Sequence, residues 1–364
     1  MNDHAVLLHL GLRHRGSQPL QAALEQLRPQ LRTAGVAVIT DSEIGAAAAG
    51  VGWRTGRADD TLAPFLDALT SAVELERAQV RAASEGRVVT FVSSTELLGP
   101  GVIDEADHPL FRPNAEAVIG GLAQALGAPE THVVIYTQRQ DRLFDFAYLT
   151  GVMAGGFAEF AEVFPAAGEQ VLDYHGLTAR LDALDAVTSV AARPLESVDG
   201  TAGLLADLLT ILGVQGQIDV TDLGDLPNER TYSRLGMLVA LGMNPHLDTS
   251  VERERVRAFV LDTFPPKDDT VNRVVDLARR REILDLHESS NRALFARFGL
   301  GELPENYLNP LSHQPPPPPP APEQPAPQQP APRQSAPRQP APTPSLRRRL
   351  RAGLRRRLRR LRSR

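Results

Sequence analysis

The sequence predicts an α/β domain: a parallel sheet flanked by helices, followed by a mainly helical C-terminal half. Three observations predict it. The chain opens strand, tight loop, helix, strand within its first 40 residues. The run RVVTFV at 87–92 is apolar and β-branched without alternation, as in a strand buried on both faces. Beyond residue 200, helical periodicity replaces strand-like runs.

The elements follow in order. Residues 6–10 form a short apolar strand. In PLQAALEQLRPQLRTAG, Leu20, Leu27 and Leu31 recur at helical spacing beside Ala23 and Leu24; Pro19 suits a first turn and Gly35 a C-terminal cap. Residues 36–39 are a second strand. A long helix is expected over 61–81, a strand over 87–92 and a helix over 113–126 that Gly127 ends. HVVIY at 132–136 is the next strand, and 140–161 the helix after it. Residues 173–185 give another helix, VTSVAA a strand, and 200–212 a helix with Asp199 as N-cap and Gly213 as its end. NERTYSRLGMLVALG and ERVRAFVLDTF read as two of the later helices, which continue to Phe298.

Charge divides the 364 residues into three parts: 1–300, a proline-rich linker at 301–344 and a tail at 345–364. The formal net charge is −5, but residues 347–364 hold eleven arginines and no acid. Residues 1–300 hold 26 basic and 41 acidic residues, a net of −15. So acidic a surface is a poor match for nucleic acid, leaving any such role to the tail. With no cysteine there is no disulfide, iron–sulfur cluster or thiol nucleophile. Nine scattered histidines form no HExxH-type cluster, and no metal cofactor is expected. There is no apolar run of 18 residues, so the expected address is the cytoplasm. Lys267 is the single lysine, which leaves none for a phosphate loop near the N-terminus.

Fifteen of the 30 prolines lie between Pro315 and Pro344. That composition predicts an extended polyproline II spacer, at about 3.1 Å per residue. In the tail, Leu346, Leu350, Leu354, Leu358 and Leu361 make one stripe on a helix, with arginine around it. Arginines at i,i+4, and Gly353 at about 1 kcal/mol against alanine, oppose that helix in isolation. It should fold against something anionic. An anionic membrane leaflet fits both leucine and arginine, placing the protein at the periphery of the inner membrane surface. Nucleic acid or another polyanion, docking onto the chain's own acidic body or a partner protein, and no specific partner are the competing readings.

HLGLRHRGS at 9–17 follows a strand and precedes a helix, a place where backbone N–H groups face an anion. Arg13, His14 and Arg15 add charge there, although the GxxxxGK[ST] spacing is absent. The wider text resembles bacterial sulfotransferase-like proteins. LHLGLRHRGSQPLQAAL with LRTAGV resembles their HIGxxKTGTTxLQ opening, and VVIYTQRQDRLFDFAYLTG their VVLYLRRQDxxLxSxYLQ segment. LDYHGLTARLDAL, VAARPLESV, GLLADLLTILGV, NERTYSRLGMLVAL and ESSNRALFARFGL resemble later segments in the same order across residues 6–300. The resemblance implies a P-loop-type fold. It also implies transfer of a sulfuryl group from 3′-phosphoadenylyl sulfate (PAPS) to a hydroxyl of a carbohydrate or small-molecule acceptor.

It further implies a cofactor grip of two halves. The loop, with Arg13, His14, Arg15, Gly16 and Ser17, would hold the 5′-phosphosulfate; Gln138 and Arg139 would stand at the 3′-phosphate. His14 takes the place of the loop lysine, Gln138 that of an arginine, Gln18 that of a threonine and Phe146 that of a serine. Either Arg13 or Arg15 and Arg139 replace the usual contacts, or the chain is a non-catalytic relative or scaffold, or it uses another phosphorylated donor. His14 would donate to the leaving group when protonated. Glu96, after the 87–92 strand, is the candidate general base, with Ser93 and Ser94 as polar lining. Trp53 either lines an acceptor pocket or is a buried aromatic.

A peptide of residues 345–364 is expected to gain helical ellipticity with vesicles rich in phosphatidylserine and to sediment with them, but not with pure phosphatidylcholine. Absence of sedimentation at low salt contradicts the membrane reading; retention on heparin with steep salt dependence supports the polyanion one.

Overall fold

A computed structural model describes residues 5–11, 16–51, 53, 61–99, 114–160, 162, 173–221, 223–224, 226–227, 230–265, 275–304 and 307–308. The chain divides at His313/Gln314, and every described residue belongs to the first unit. Residues 309–344 of the proline-rich linker, the basic tail and Lys267 lie outside the described residues.

Among the described residues, five strands form one sheet: β1 (Ala5–Leu10), β2 (Val36–Ile39), β3 (Val89–Ser94), β4 (Glu130–Thr137) and β5 (Ser189–Pro194). Their order is β2-β3-β1-β4-β5, and every pairing is parallel. Burial on both faces explains why β1, β2 and most of β3 and β4 read as unbroken apolar runs. Among the described residues, ten helices connect and extend the sheet: α1 (Ser17–Thr33), α2 (Asp41–Val51), α3 (Leu62–Ala83), α4 (Ala115–Leu126), α5 (Gln140–Ala154), α6 (Tyr174–Asp182), α7 (Gly200–Ile211), α8 (Arg234–Met243), α9 (Ser250–Thr263) and α10 (Leu277–Arg297).

Alternate strand residues feed two cores, as the two-residue period requires. Leu7, Val36, Val38, Phe91, Val134 and Tyr136 face α1 and α7, where Leu20, Leu24, Leu204 and Leu208 are buried against them. Val6, Leu8, Leu10, Ile39, Val92, Val133 and Ile135 face the larger core, built with α3 to α6 and with α8 to α10. Helices thus cover both faces, and the C-terminal half is the more helical. Packing continues past residue 300: Leu303 and Tyr307 close on Phe295 of α10.

The boundaries shift from expectation for local reasons. α2 has only Ile44 and Ala47 buried, so DSEIGAAAAGV carries no apolar period to read. Asp41 and Glu43 instead mark its first turn, where carboxylates complement the helix dipole. The helix expected over 140–161 stops at Ala154. Gly155 turns to φ +115°, and Asn244 Nδ2 caps the end by donating to the carbonyls of Val152 (2.9 Å) and Gly156 (2.7 Å). Gly35 is at φ +82°, and a Cβ there would lie 2.7 Å from the Arg87 carbonyl. Glycine is therefore required where α1 turns into β2. Trp53 is a buried aromatic, stacked on Phe65 with ring centroids 3.9 Å apart.

Two polar clamps add specificity to this packing. Arg28 bridges Glu25 and Glu43, and Arg32 bonds Glu76, so α1, α2 and α3 are tied around β2. Asp173 caps α6 by accepting from Gly176 N at 2.9 Å and also accepts the Ser290 hydroxyl of α10. Burial raises its pKa, but those hydrogen bonds and the nearby His175 and Arg180 outweigh burial and hold the carboxyl below its ordinary range.

Candidate functional site

The strand order fixes where a ligand can enter. From β1 the chain leaves through α1 toward β2 on one side. From β4 it leaves through α5 and α6 toward β5 on the other. β1 and β4 are neighbours, so the connections diverge between them, and a crevice opens beyond their carboxyl ends. Gly11 leaves β1 with its N–H on the Ser94 carbonyl, 3.0 Å away. Arg13, His14 and Arg15 lie outside the described residues. Gly16 is the N-cap of α1, with Ser17 as its first residue.

A pocket of about 240 Å³ opens at this place. Gly16 forms one wall and Gln138, just past β4, another. The 3-10 turn Leu195–Ser197 and the start of α7 complete it, through Leu195, Val198, Thr201 and Leu204. The α1 and α7 N-termini have no acidic residue in the first turn and no side-chain cap hydrogen bond. Both present positive dipole ends to the same space. The pocket is smaller than the ~300–1,000 Å³ of typical small-molecule sites, with room for only a portion of such a ligand. Gly16 and Gln138, 122 positions apart and expected at opposite halves of one cofactor grip, share this pocket.

Arg139 has a different position. Its guanidinium is 2 % exposed and grips both oxygens of Asp141, Nε to Oδ1 at 2.6 Å and Nη2 to Oδ2 at 2.8 Å. Arg280 of α10 then binds Asp141 at 2.9 Å and Asp145 as well, while Asp145 also accepts the Val275 N–H at 2.9 Å. Beside this cluster, Gln140 and Asn291 exchange amide hydrogen bonds of 2.7 and 3.0 Å. The Arg139 backbone N–H donates to Glu196 (2.9 Å), whose second oxygen accepts the Tyr307 hydroxyl (2.7 Å). Burial and the Glu196 charge raise the Tyr307 pKa, keeping it a neutral donor. The Gln138 backbone N–H lies 3.4 Å from the Tyr174 hydroxyl. Phe146, where the resemblance expects a serine, is buried on α5.

On the other side of β1, a polar lattice holds the strand ends. His9 Nδ1 is 2.9 Å from Ser93 Oγ, and Gln21 Nε2 donates to the same hydroxyl at 3.0 Å. Asp41 accepts from Ser94 Oγ (3.1 Å), Thr95 N (3.0 Å) and Thr95 Oγ1 (2.6 Å). Ser94 Oγ in turn accepts the N–H groups of Glu96 and Leu97, at 3.0 and 3.1 Å. Ser93 and Ser94 are fully buried and anchor this turn; Glu96 sits in it, partly exposed at the carboxyl edge of the sheet. Asp41 was not singled out by sequence. Its only signal is a carboxylate placed directly after a strand and at the start of a helix. Among the described residues no group of three or more His, Asp or Glu side chains could hold a metal, and no helix is long and apolar enough to cross a membrane.

Removing Arg280 (R280A) takes from the buried Asp141 and Asp145 the guanidinium that pairs with both. A loss of about 3–5 kcal/mol in unfolding free energy is expected from the severed pairs. Denaturant melts that match the native chain within 1 kcal/mol would contradict it. No family model, curated protein or solved structure matches this chain.

Proposed function

We propose that the body of this chain is a sulfotransferase-like domain that binds a nucleotide-type sulfuryl donor beyond β1 and β4. The carrying observation is the shared pocket of Gly16 and Gln138 between two helix N-termini. Apolar walls from Leu195, Val198 and Leu204 suit a nucleoside, and the N-terminal dipole ends suit its phosphate. PAPS is the donor class the resemblance implies, and the acceptor is a hydroxyl of a carbohydrate or small molecule. In that reaction the acceptor oxygen loses its proton and attacks sulfur, and the bond from sulfur to the bridging oxygen breaks. Glu96, at the same sheet edge, is the candidate to take the proton, and His14 the candidate donor to the departing oxygen.

A non-catalytic relative is the second reading. It is favoured by Arg139, whose guanidinium is held by Asp141 rather than lining the pocket, and by the apolar Phe146. Under either reading the basic tail is proposed to hold the protein at an anionic surface, an inner membrane leaflet before nucleic acid.

Filling the pocket separates these readings from no function at the site. Thr201→Trp, at a half-buried position on α7, is expected to weaken saturable adenine-nucleotide binding at least tenfold in titration calorimetry, without lowering the melting temperature. Equal binding by native chain and variant contradicts the pocket. Binding without turnover of labelled donor supports the non-catalytic reading; turnover supports the transferase.

A further inference from the structure

We infer that Tyr307, in the segment after α10, is a positioning residue for the pocket: through Glu196 it fixes the spacing of the two walls between which a nucleotide would sit. This rests on the nucleotide reading above.

The walls begin where the sheet ends. β4 and β5 stay paired as far as Thr137 and Pro194. The next residue on each strand, Gln138 and Leu195, lines the pocket. Past that point no ladder hydrogen bond holds the two exits together, so another contact must set their distance. Glu196 supplies it. It stands in the turn Leu195–Ser197, which closes on itself through Val198 N–H to the Leu195 carbonyl (3.2 Å) and Ser197 Oγ to the Pro194 carbonyl (2.6 Å). From that turn one Glu196 oxygen crosses to the other exit and accepts the Arg139 N–H at 2.9 Å, directly after Gln138.

One hydrogen bond leaves a glutamate free to rotate, and Tyr307 removes that freedom. Its hydroxyl donates to the second Glu196 oxygen at 2.7 Å, and the Thr137 side chain hydrogen-bonds the same hydroxyl. Three successive residues leaving β4 are thus held from outside the sheet: Thr137 by Tyr307, the Gln138 N–H by the Tyr174 hydroxyl at 3.4 Å, and the Arg139 N–H by Glu196. Burial and the Glu196 charge keep Tyr307 protonated, so it remains a donor.

The hydroxyl has a task separate from the ring. The Tyr307 ring lies edge-on to Phe295, with centroids 5.3 Å apart, and with Leu303 makes a small cluster apart from the two main cores. Phenylalanine would fill that space equally well. Without the hydroxyl, one Glu196 oxygen lacks its donor and the bridge to Arg139 N–H loosens. A site whose supporting contacts leave it about 1 Å too loose loses its fit to a ligand.

The test is Tyr307→Phe in the full chain. Adenosine 3′,5′-bisphosphate is titrated into native chain and variant at 0.3 M salt, where exposed charge is screened to a Debye length of about 5–6 Å. The variant is expected to bind at least fivefold more weakly, and its Arg139 amide to exchange at least tenfold faster in the absence of nucleotide. Glu196→Ala, which removes the bridge itself, is expected to lose at least as much affinity. Arg297→Ala cuts the ion pair from α10 to Asp182 and leaves Glu196 untouched, so native affinity is expected. Native affinity in Tyr307→Phe overturns the inference and leaves the nucleotide site standing, as does an equal loss in Arg297→Ala. No saturation of the native chain at millimolar concentration overturns the nucleotide reading instead, and Arg139 exchange in Tyr307→Phe then decides the positioning of the wall by itself.

Discussion

Arg280 reaches from the last long helix to two carboxylates on α5, and the shape of the crevice depends on that contact. Asp141 and Asp145 are nearly without solvent exposure, so each would be costly if left alone. Arg139 and Arg280 neutralise them, and the hydrogen bonds from Val275 and to its carbonyl complete the cluster. The consequence lies one residue upstream. With the Arg139 side chain pinned inward and its N–H fixed on Glu196, Gln138 is left at the pocket wall. The helical C-terminal half thereby sets the geometry of a site made from the sheet.

Parallel pairing provides the rest of the frame. Beyond the carboxyl ends of β1 and β4 the connections part, and α1 and α7, on the same face, both begin there. The Asp41 lattice holds the ends of β1 and β3, so the strand end from which the loop departs is rigid. A rigid floor with two positive helix ends is a physical basis for binding an anion.

Much of the frame was legible in the sequence. Unbroken runs such as AVLLHL and VVTFV identify strands buried on both faces, and Gly35, Gly127 and Gly213, all at positive φ, punctuate helix ends. The α2 helix was not legible, because its alanine-rich text has no apolar stripe. The role of Arg139 was not legible either. Sequence places it beside Gln138 in a grip for phosphate, but its environment is decided by Arg280, 141 positions away. Asp41 escaped notice for a related reason: its partners Ser94 and Thr95 lie more than 50 positions on and meet it only through strand order. Local pattern reports burial and periodicity, whereas ion pairing between distant elements is set by topology.

The central claim is that ligand binds where the connections from β1 and β4 diverge. Amide hydrogen exchange of the full chain, with and without saturating adenosine 5′-monophosphate, tests it most directly. Slowed exchange confined to the amides around Gly16, Gln138 and Gly200 to Leu204 is the expected result. Unchanged exchange there, with protection elsewhere in the body or only within residues 345–364, would contradict it.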